Sequence, residues 1–100
     1  MGLRRKQSRF ARMLAKLILW INDQGYEVTL GSGYCKSGHM KKSLHYIRLA
    51  QDLNLFKDGV FLTETKDHQF AGEKWESMGG TWGGRFKDGN HYSLEHEGRK

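Results

Sequence analysis

The chain has 100 residues, of which 37% are hydrophobic and 28% charged, so wholesale disorder is unexpected and residues 1–100 are predicted to form one small domain. Its single cysteine, Cys35, excludes an internal disulfide and a cysteine-rich metal cluster. The formal net charge of +6 favours anionic partners, among them nucleic acid, an acidic membrane surface and a bacterial wall.

The first predicted element is an amphipathic helix over about residues 5–24, followed by a glycine stop at Gly25. Its apolar stripe recurs at helical spacing and consists of Phe10, Met13, Leu14, Leu17, Ile18 and Ile21. The basic residues lie mostly off this stripe, which favours a solvated face over a binding face for an anionic polymer. The apolar run 13–21 is too short for a membrane span, so we expect no stable membrane insertion. It also lacks a cleavage site, so we expect the protein to be made in the cytoplasm.

Two strands and a long loop follow the helix. Residues 26–30 alternate as a half-buried strand, and residues 31–42 form a polar, basic loop. In the next strand, Leu49, Leu53 and Leu55 share one face, which directs Asp52 away from the apolar layer.

The second half of the chain predicts shorter elements. Asp58-Gly59 is a hairpin signal and returns the chain through residues 60–62 as an antiparallel strand. A short helix is predicted over about residues 70–78, then a glycine-rich loop over residues 81–84. The final strand starts at about His91, and residues 97–100 are expected to fray.

Three side chains of this pattern are suited to binding a metal ion. His45 precedes Asp52 by seven positions, an odd offset that cannot place both on one face of a strand. His45 is therefore predicted to lie in the turn before the strand and to lean over it. His91 opens the polar face of the last strand, with Asp88 three residues before it. Imidazole and carboxylate groups are ligands that zinc accepts.

The order Ser43-x-His45, Ala50-x-Asp52 and Asp88-x-x-His91 resembles the VanX/VanY-type zinc peptidases. It looks most like their phage relatives, the L-alanyl-D-glutamate peptidases, over about residues 26–95. The resemblance implies an α+β fold of the Hedgehog/D,D-peptidase type, with a small antiparallel sheet and flanking helices. It further implies one Zn²⁺ bound by His45, Asp52 and His91, with Asp88 as the catalytic base.

The substrate-binding residues are assigned more loosely. The family tends to carry an arginine after the first strand, where this chain has Cys35, so Lys36 or Arg48 would have to supply the positive charge. Arg48 has the alternatives of pairing with Asp52 or Glu95. Trp82 is a candidate groove wall or, equally, a core residue.

Three further polar residues carry alternatives of their own. His39 and His68 are competing imidazoles that are expected to remain solvated. Asp88 has a structural alternative, because Asp-Gly also favours a turn.

The predicted function is hydrolysis of the L-alanyl-D-glutamate bond of the peptidoglycan stem peptide by a monomeric phage endolysin. It would remain in the host cytoplasm until lysis and then act on the cell wall, without a specific nucleic-acid partner. One alternative is a D-Ala-D-Ala carboxypeptidase of the same family. The other is a non-catalytic module that binds nucleic acid or metal.

Overall fold

The computed structural model describes residues 2–100, which form an antiparallel sheet with two α-helices, confirming the predicted α+β class. The helices are α1 (Leu3–Asp23) and α2 (Gln69–Ser77). The strands are β1 (Glu27–Leu30), β2 (Ala50–Lys57), β3 (Val60–Leu62), β4 (Thr81–Trp82) and β5 (His91–Ser93). Three single-turn 3-10 helices connect them, at Leu44–Ile47, Thr65–His68 and Gly83–Phe86.

Helix α1 follows from its apolar spacing. Phe10, Met13, Leu17 and Ile21 are buried on one face, as their spacing of three and four residues predicts. The helix ends two residues before Gly25, whose φ of +93° suits the residue that follows a helix. In the described part of the chain, residues 2–100, no helix combines the length and apolarity that crossing a bilayer requires.

Strand β2 is the centre of the sheet and sets the geometry of the polar residues on it. β1 pairs antiparallel along one edge of β2, while β3 and β5 pair along the other edge. β4 continues the sheet beyond β5. In this register Asp52 of β2 lies directly opposite His91 of β5.

The core lies between this sheet and the two helices. Leu53, Leu55 and Tyr92 from the sheet meet Leu17 of α1 and Trp75 of α2, and all five are fully buried. The indole N–H of Trp75 donates to the main-chain oxygen of Ser93 at 2.8 Å, which ties α2 to β5. This packing fixes the strand that carries His91.

The predicted loop at residues 81–84 is wrong in part. Thr81 and Trp82 form β4, paired with Ser93 and Tyr92, and a 3-10 helix follows. Trp82 is 3% exposed and donates its indole N–H to the main-chain oxygen of Gly89 at 2.8 Å. The structure therefore places Trp82 in the core rather than on a groove wall.

The expectation of a frayed C-terminus is also wrong. His96 and Arg99 form a β-bridge around Glu97 and Gly98, both with positive φ. Lys6 of α1 donates to the main-chain oxygen of Glu95. Hydrogen bonds to distant segments hold this turn against the domain, and no local sequence signal predicts them.

The tetrapeptide Phe-Lys-Asp-Gly occurs at residues 56–59 and 86–89 and adopts two conformations. At the first copy Asp58 and Gly59 have φ of +51° and +79° and connect β2 to β3, the predicted hairpin. At the second copy the positive φ belongs to Lys87, at +64°. The second copy is thus a different turn, and Asp88 lies next to β5.

Candidate metal centre

His45 is positioned by a helical turn immediately before β2. The hydroxyl oxygen of Ser43 accepts a hydrogen bond from the His45 main-chain N–H at 3.2 Å and caps the 3-10 helix Leu44–Ile47. That helix ends at Arg48, whose φ of +57° reverses the chain into β2. The His45 ring therefore leans over the strand, as the odd offset predicts, and its Nε2 lies 3.3 Å from Oδ1 of Asp52.

The second histidine reaches the same carboxylate oxygen from the neighbouring strand. Nδ1 of His91 lies 3.6 Å from Oδ1 of Asp52. Ligand atoms of His45, Asp52 and His91 all lie within 4.8 Å of one another. The structure thus brings together the three residues assigned as zinc ligands from the sequence.

Each histidine directs one ring nitrogen, here called the inner nitrogen, toward Asp52. The other ring nitrogen, the outer nitrogen, lies next to a main-chain oxygen. Nδ1 of His45 lies 2.9 Å from the oxygen of Gly33, and Nε2 of His91 lies 2.9 Å from that of Lys100. A neutral ring that donates its outer N–H presents the lone pair of its inner nitrogen to Asp52. Oriented imidazoles of this kind are typical of metal ligands, because the outer hydrogen bond fixes the tautomer.

Asp52 supplies the test of whether a metal fits. Its Oδ1 is buried and, among the described residues, has no partner in hydrogen-bonding geometry. A buried carboxylate oxygen without a partner is costly, and a cation would satisfy it. Two imidazoles and one carboxylate fit zinc and leave a coordination position open for water or substrate.

The pKa of His91 reflects the burial of its ring and the carboxylates of Asp52 and Asp88 beside it. Burial disfavours the charged ring, but the Asp52 carboxylate, the main-chain oxygen of Lys100 and Asp88 outweigh it and raise the pKa of His91. The two carboxylates thus favour the positively charged form of the His91 ring.

Asp88 lies at the edge of this cluster rather than within it. Its Oδ2 is 3.8 Å from Nδ1 of His91, and its side chain is 51% exposed. The Asp88 main-chain N–H donates to the oxygen of Gly83, and its own main-chain oxygen accepts from the His91 N–H. Asp88 is therefore held beside a candidate ligand with its carboxylate open to solvent.

The residues proposed to bind substrate have other surroundings. The Arg48 guanidinium lies 3.8 Å above the ring of Tyr34, and across residues 2–100 it forms no ion pair with Asp52 or Glu95. Lys36 is exposed in the loop before His45. Cys35 Sγ lies 3.7 Å from the main-chain oxygen of Gly33. The same oxygen is the one next to the His45 ring.

The expectation that His39 stays solvated is wrong. Its half-buried ring stacks on the His45 ring, with centroids 4.1 Å apart and an interplanar angle of 11°. The Tyr46 hydroxyl donates to the His39 main-chain oxygen at 2.6 Å and accepts from its N–H at 2.8 Å. The His39 ring thus packs against the ring of a candidate ligand. Sequence periodicity cannot predict such a contact, because His39 lies in a loop.

His68 is likewise buried rather than solvated, at 3% exposure. Its Nδ1 lies 2.8 Å from the Tyr92 hydroxyl. Burial lowers the pKa of His68 to about 4 and raises that of the Tyr92 hydroxyl. This pair supports the core beneath β5 and does not belong to the metal cluster.

A groove of about 400 Å³ opens beside Asp88 and His91. Its other walls include Lys41, Lys42, Phe86 and Arg99. The groove therefore offers several positive charges and an aromatic side chain next to the candidate centre.

The fold and the donor set define a small α+β domain with a candidate three-ligand zinc centre. The chain belongs to the M15 peptidase family described as D-alanyl-D-alanine carboxypeptidase, whose model matches residues 37–94, more than half of the chain. This match supports the broader resemblance to VanX-type enzymes and a metallopeptidase activity, and the matched range contains His45, Asp52, Asp88 and His91. The comparison with curated proteins finds no match. The narrower likeness to phage endolysins stays a prediction.

Proposed function

We propose that the protein is a zinc-dependent peptidase that hydrolyses the L-alanyl-D-glutamate bond of the peptidoglycan stem peptide. The observation that carries the proposal is the unpartnered, buried Asp52 oxygen between His45 and His91, with the exposed Asp88 carboxylate beside them. Family membership supports a peptidase, and the sequence resemblance to phage enzymes supports the particular bond.

The residues of this cluster divide the work of amide hydrolysis. A zinc ion held by His45, Asp52 and His91 would polarise the scissile carbonyl and acidify a water molecule. Asp88 accepts a proton from the attacking water as the water oxygen forms a bond to the carbonyl carbon. Asp88 then returns this proton to the leaving nitrogen when the carbon–nitrogen bond breaks.

The positively charged residues of the groove beside Asp88 favour an acidic substrate. Lys41, Lys42 and Arg99 are among the residues that line this groove. The peptide released on the far side of an L-alanyl-D-glutamate bond carries carboxylates, which these cations would attract. Since exposed charges are screened by salt, we expect the Michaelis constant to rise with ionic strength.

The second candidate is a D-Ala-D-Ala carboxypeptidase, which the description of the matching family favours. Such an enzyme releases the terminal D-alanine and needs one cation for the terminal carboxylate. The same groove residues would serve that purpose. The two candidates share the metal centre and differ in the bond that is cut.

We further propose that the enzyme acts as a monomer, remains in the host cytoplasm until lysis and then degrades the wall. This part of the proposal rests on the resemblance to phage endolysins.

Digestion of purified peptidoglycan tests the proposal, with fragments identified by mass spectrometry. The endopeptidase exposes a new D-glutamate amine, whereas the carboxypeptidase releases free D-alanine. Asp88→Asn serves as the matched control, because it keeps the size of the side chain and removes the base. Free D-alanine with the L-alanyl-D-glutamate bond intact would replace the first candidate with the second, and no cleavage by zinc-loaded protein would reject both.

A further inference from the structure

The turn formed by residues 95–100, here called the C-terminal turn, contacts both segments that carry the candidate histidines. Main-chain hydrogen bonds of 3.0 and 2.8 Å between His96 and Arg99 close the turn. It places the Arg99 side chain and the Lys100 main chain on the face of the domain that carries the metal cluster.

Arg99 links this turn to the segment before His45. Its Nε donates to the main-chain oxygen of Lys42 at 2.8 Å, and its Nη2 donates to that of Ser43 at 3.1 Å. Ser43 is the residue whose hydroxyl caps the turn carrying His45. A planar guanidinium suits two neighbouring oxygens, because its N–H groups diverge in a fixed fork.

Lys100 links the same turn to His91. Its main-chain oxygen lies 2.9 Å from Nε2 of His91 and accepts from the Ser93 hydroxyl at 2.9 Å. Arg99 and Lys100 are adjacent, so an arginine that fixes residues 42–43 also fixes the oxygen that orients His91.

We propose that Arg99 is a positioning residue for the metal centre, acting as a clamp between the His45 segment and the outer nitrogen of His91. The clamp rests on the zinc site of the proposed function, although it requires no particular substrate. Loss of a group that orients a ligand histidine typically lowers metal affinity tenfold to a hundredfold. Because Arg99 acts through the main chain of Lys100, we expect the lower end, about tenfold.

Zinc affinity of the full chain tests this clamp, measured by competition with a chromogenic chelator. Arg99→Ala removes both hydrogen bonds, and Arg99→Lys keeps the charge but lacks the planar fork. Both variants should bind zinc more weakly than the parent. Arg12→Ala is the control for charge, since Arg12 is an exposed residue of α1. It should bind zinc like the parent.

A parent-like zinc affinity in Arg99→Ala, with the metal-free protein folded, would overturn the clamp. An equal loss in Arg12→Ala would also overturn it, because the effect would then not be specific to the C-terminal turn. If Arg99→Ala does not fold, Arg99→Lys decides, and parent-like affinity there rejects the proposal. A parent that binds no zinc removes the clamp together with the metal site. The predicted order of affinities without peptidoglycan cleavage would reject the proposed function alone.

Discussion

Oδ2 of Asp88 lies 3.8 Å from Nδ1 of His91, while the Asp88 side chain remains half exposed. This separation places the carboxylate beside the candidate metal cluster without making it one of the clustered ligand groups. A carboxylate in that position can exchange protons with solvent and, in the proposed mechanism, with a substrate bound beside the cluster.

We predict that Asp88→Asn lowers kcat about a hundredfold or more and leaves zinc content and melting temperature nearly unchanged. The amide keeps the shape and turn preference of aspartate but cannot accept the proton. Steady-state hydrolysis of a stem-peptide substrate measures the first effect, and metal analysis with thermal unfolding measures the others.

The chain provides a matched control in Asp58→Asn, within the first copy of the same tetrapeptide. Asp58 has φ of +51°, a conformation that asparagine also tolerates, and lies in the hairpin between β2 and β3. It should keep parent activity. Hydrolysis at the parent rate by Asp88→Asn would place the base elsewhere, with Glu95 as the next candidate.

Gly83→Ala should disturb the centre through the main chain. An added Cβ would lie 2.2 Å from the Asp88 main-chain oxygen and 2.6 Å from Cβ of His91. Because main-chain atoms cannot move aside cheaply, we expect a destabilisation of about 1–3 kcal/mol and a zinc affinity at least tenfold weaker. Chemical unfolding of the metal-free protein and chelator competition measure the two effects.

Gly72→Ala is the control for overpacking away from the metal ligands. Its Cβ would lie 2.0 Å from the Trp82 ring and should destabilise the core comparably. Zinc affinity at a temperature where this variant is folded should stay close to that of the parent. Unchanged zinc affinity in Gly83→Ala would contradict the placement of Asp88 and His91.

The buried His68 should make the protein sensitive to acid. Its pKa falls from 6.5 in the unfolded chain to about 4 in the fold, because burial disfavours the charged ring. Asp67 partly opposes this shift, and the Tyr92 hydroxyl faces the ring. The unfolded state therefore binds more protons, so stability is complete above about pH 6.5 and declines toward pH 4.

We predict that the free energy of unfolding falls by an amount on the order of 3 kcal/mol over this pH range. His68→Gln should abolish most of this fall. Chemical unfolding of the metal-free parent and variant between pH 7 and pH 4 measures the difference. Both proteins share the titration of His91, so its contribution cancels. Equal acid sensitivity of the two proteins would refute the assignment to His68.

Local patterns were sufficient for much of the sheet and for the convergence of the candidate ligands. The alternation of Leu49, Leu53 and Leu55 placed Asp52 on the polar side of β2, and the odd offset placed His45 in the preceding turn. The Asp58-Gly59 hairpin also follows from local sequence. These features depend on neighbours within a few residues.

The surroundings of the centre could not be predicted, because they depend on contacts between distant segments. Gly33 and Lys100 offer main-chain oxygens, and any residue type carries such an oxygen. The stacking of His39 on His45 and the docking of Arg99 on Lys42 arise from loop geometry. Trp82 was ambiguous because a two-residue strand is too short to show alternation.

Zinc analysis of the purified parent and the double variant His45→Ala/His91→Ala tests the central claim most directly. Binding free energy at such a site is partly folding free energy, so the variant should lose both metal and thermal stability. We predict one tightly held zinc per parent chain after dialysis and essentially none in the variant. Near-stoichiometric zinc in the double variant would contradict the assignment of His45, Asp52 and His91 as the metal centre.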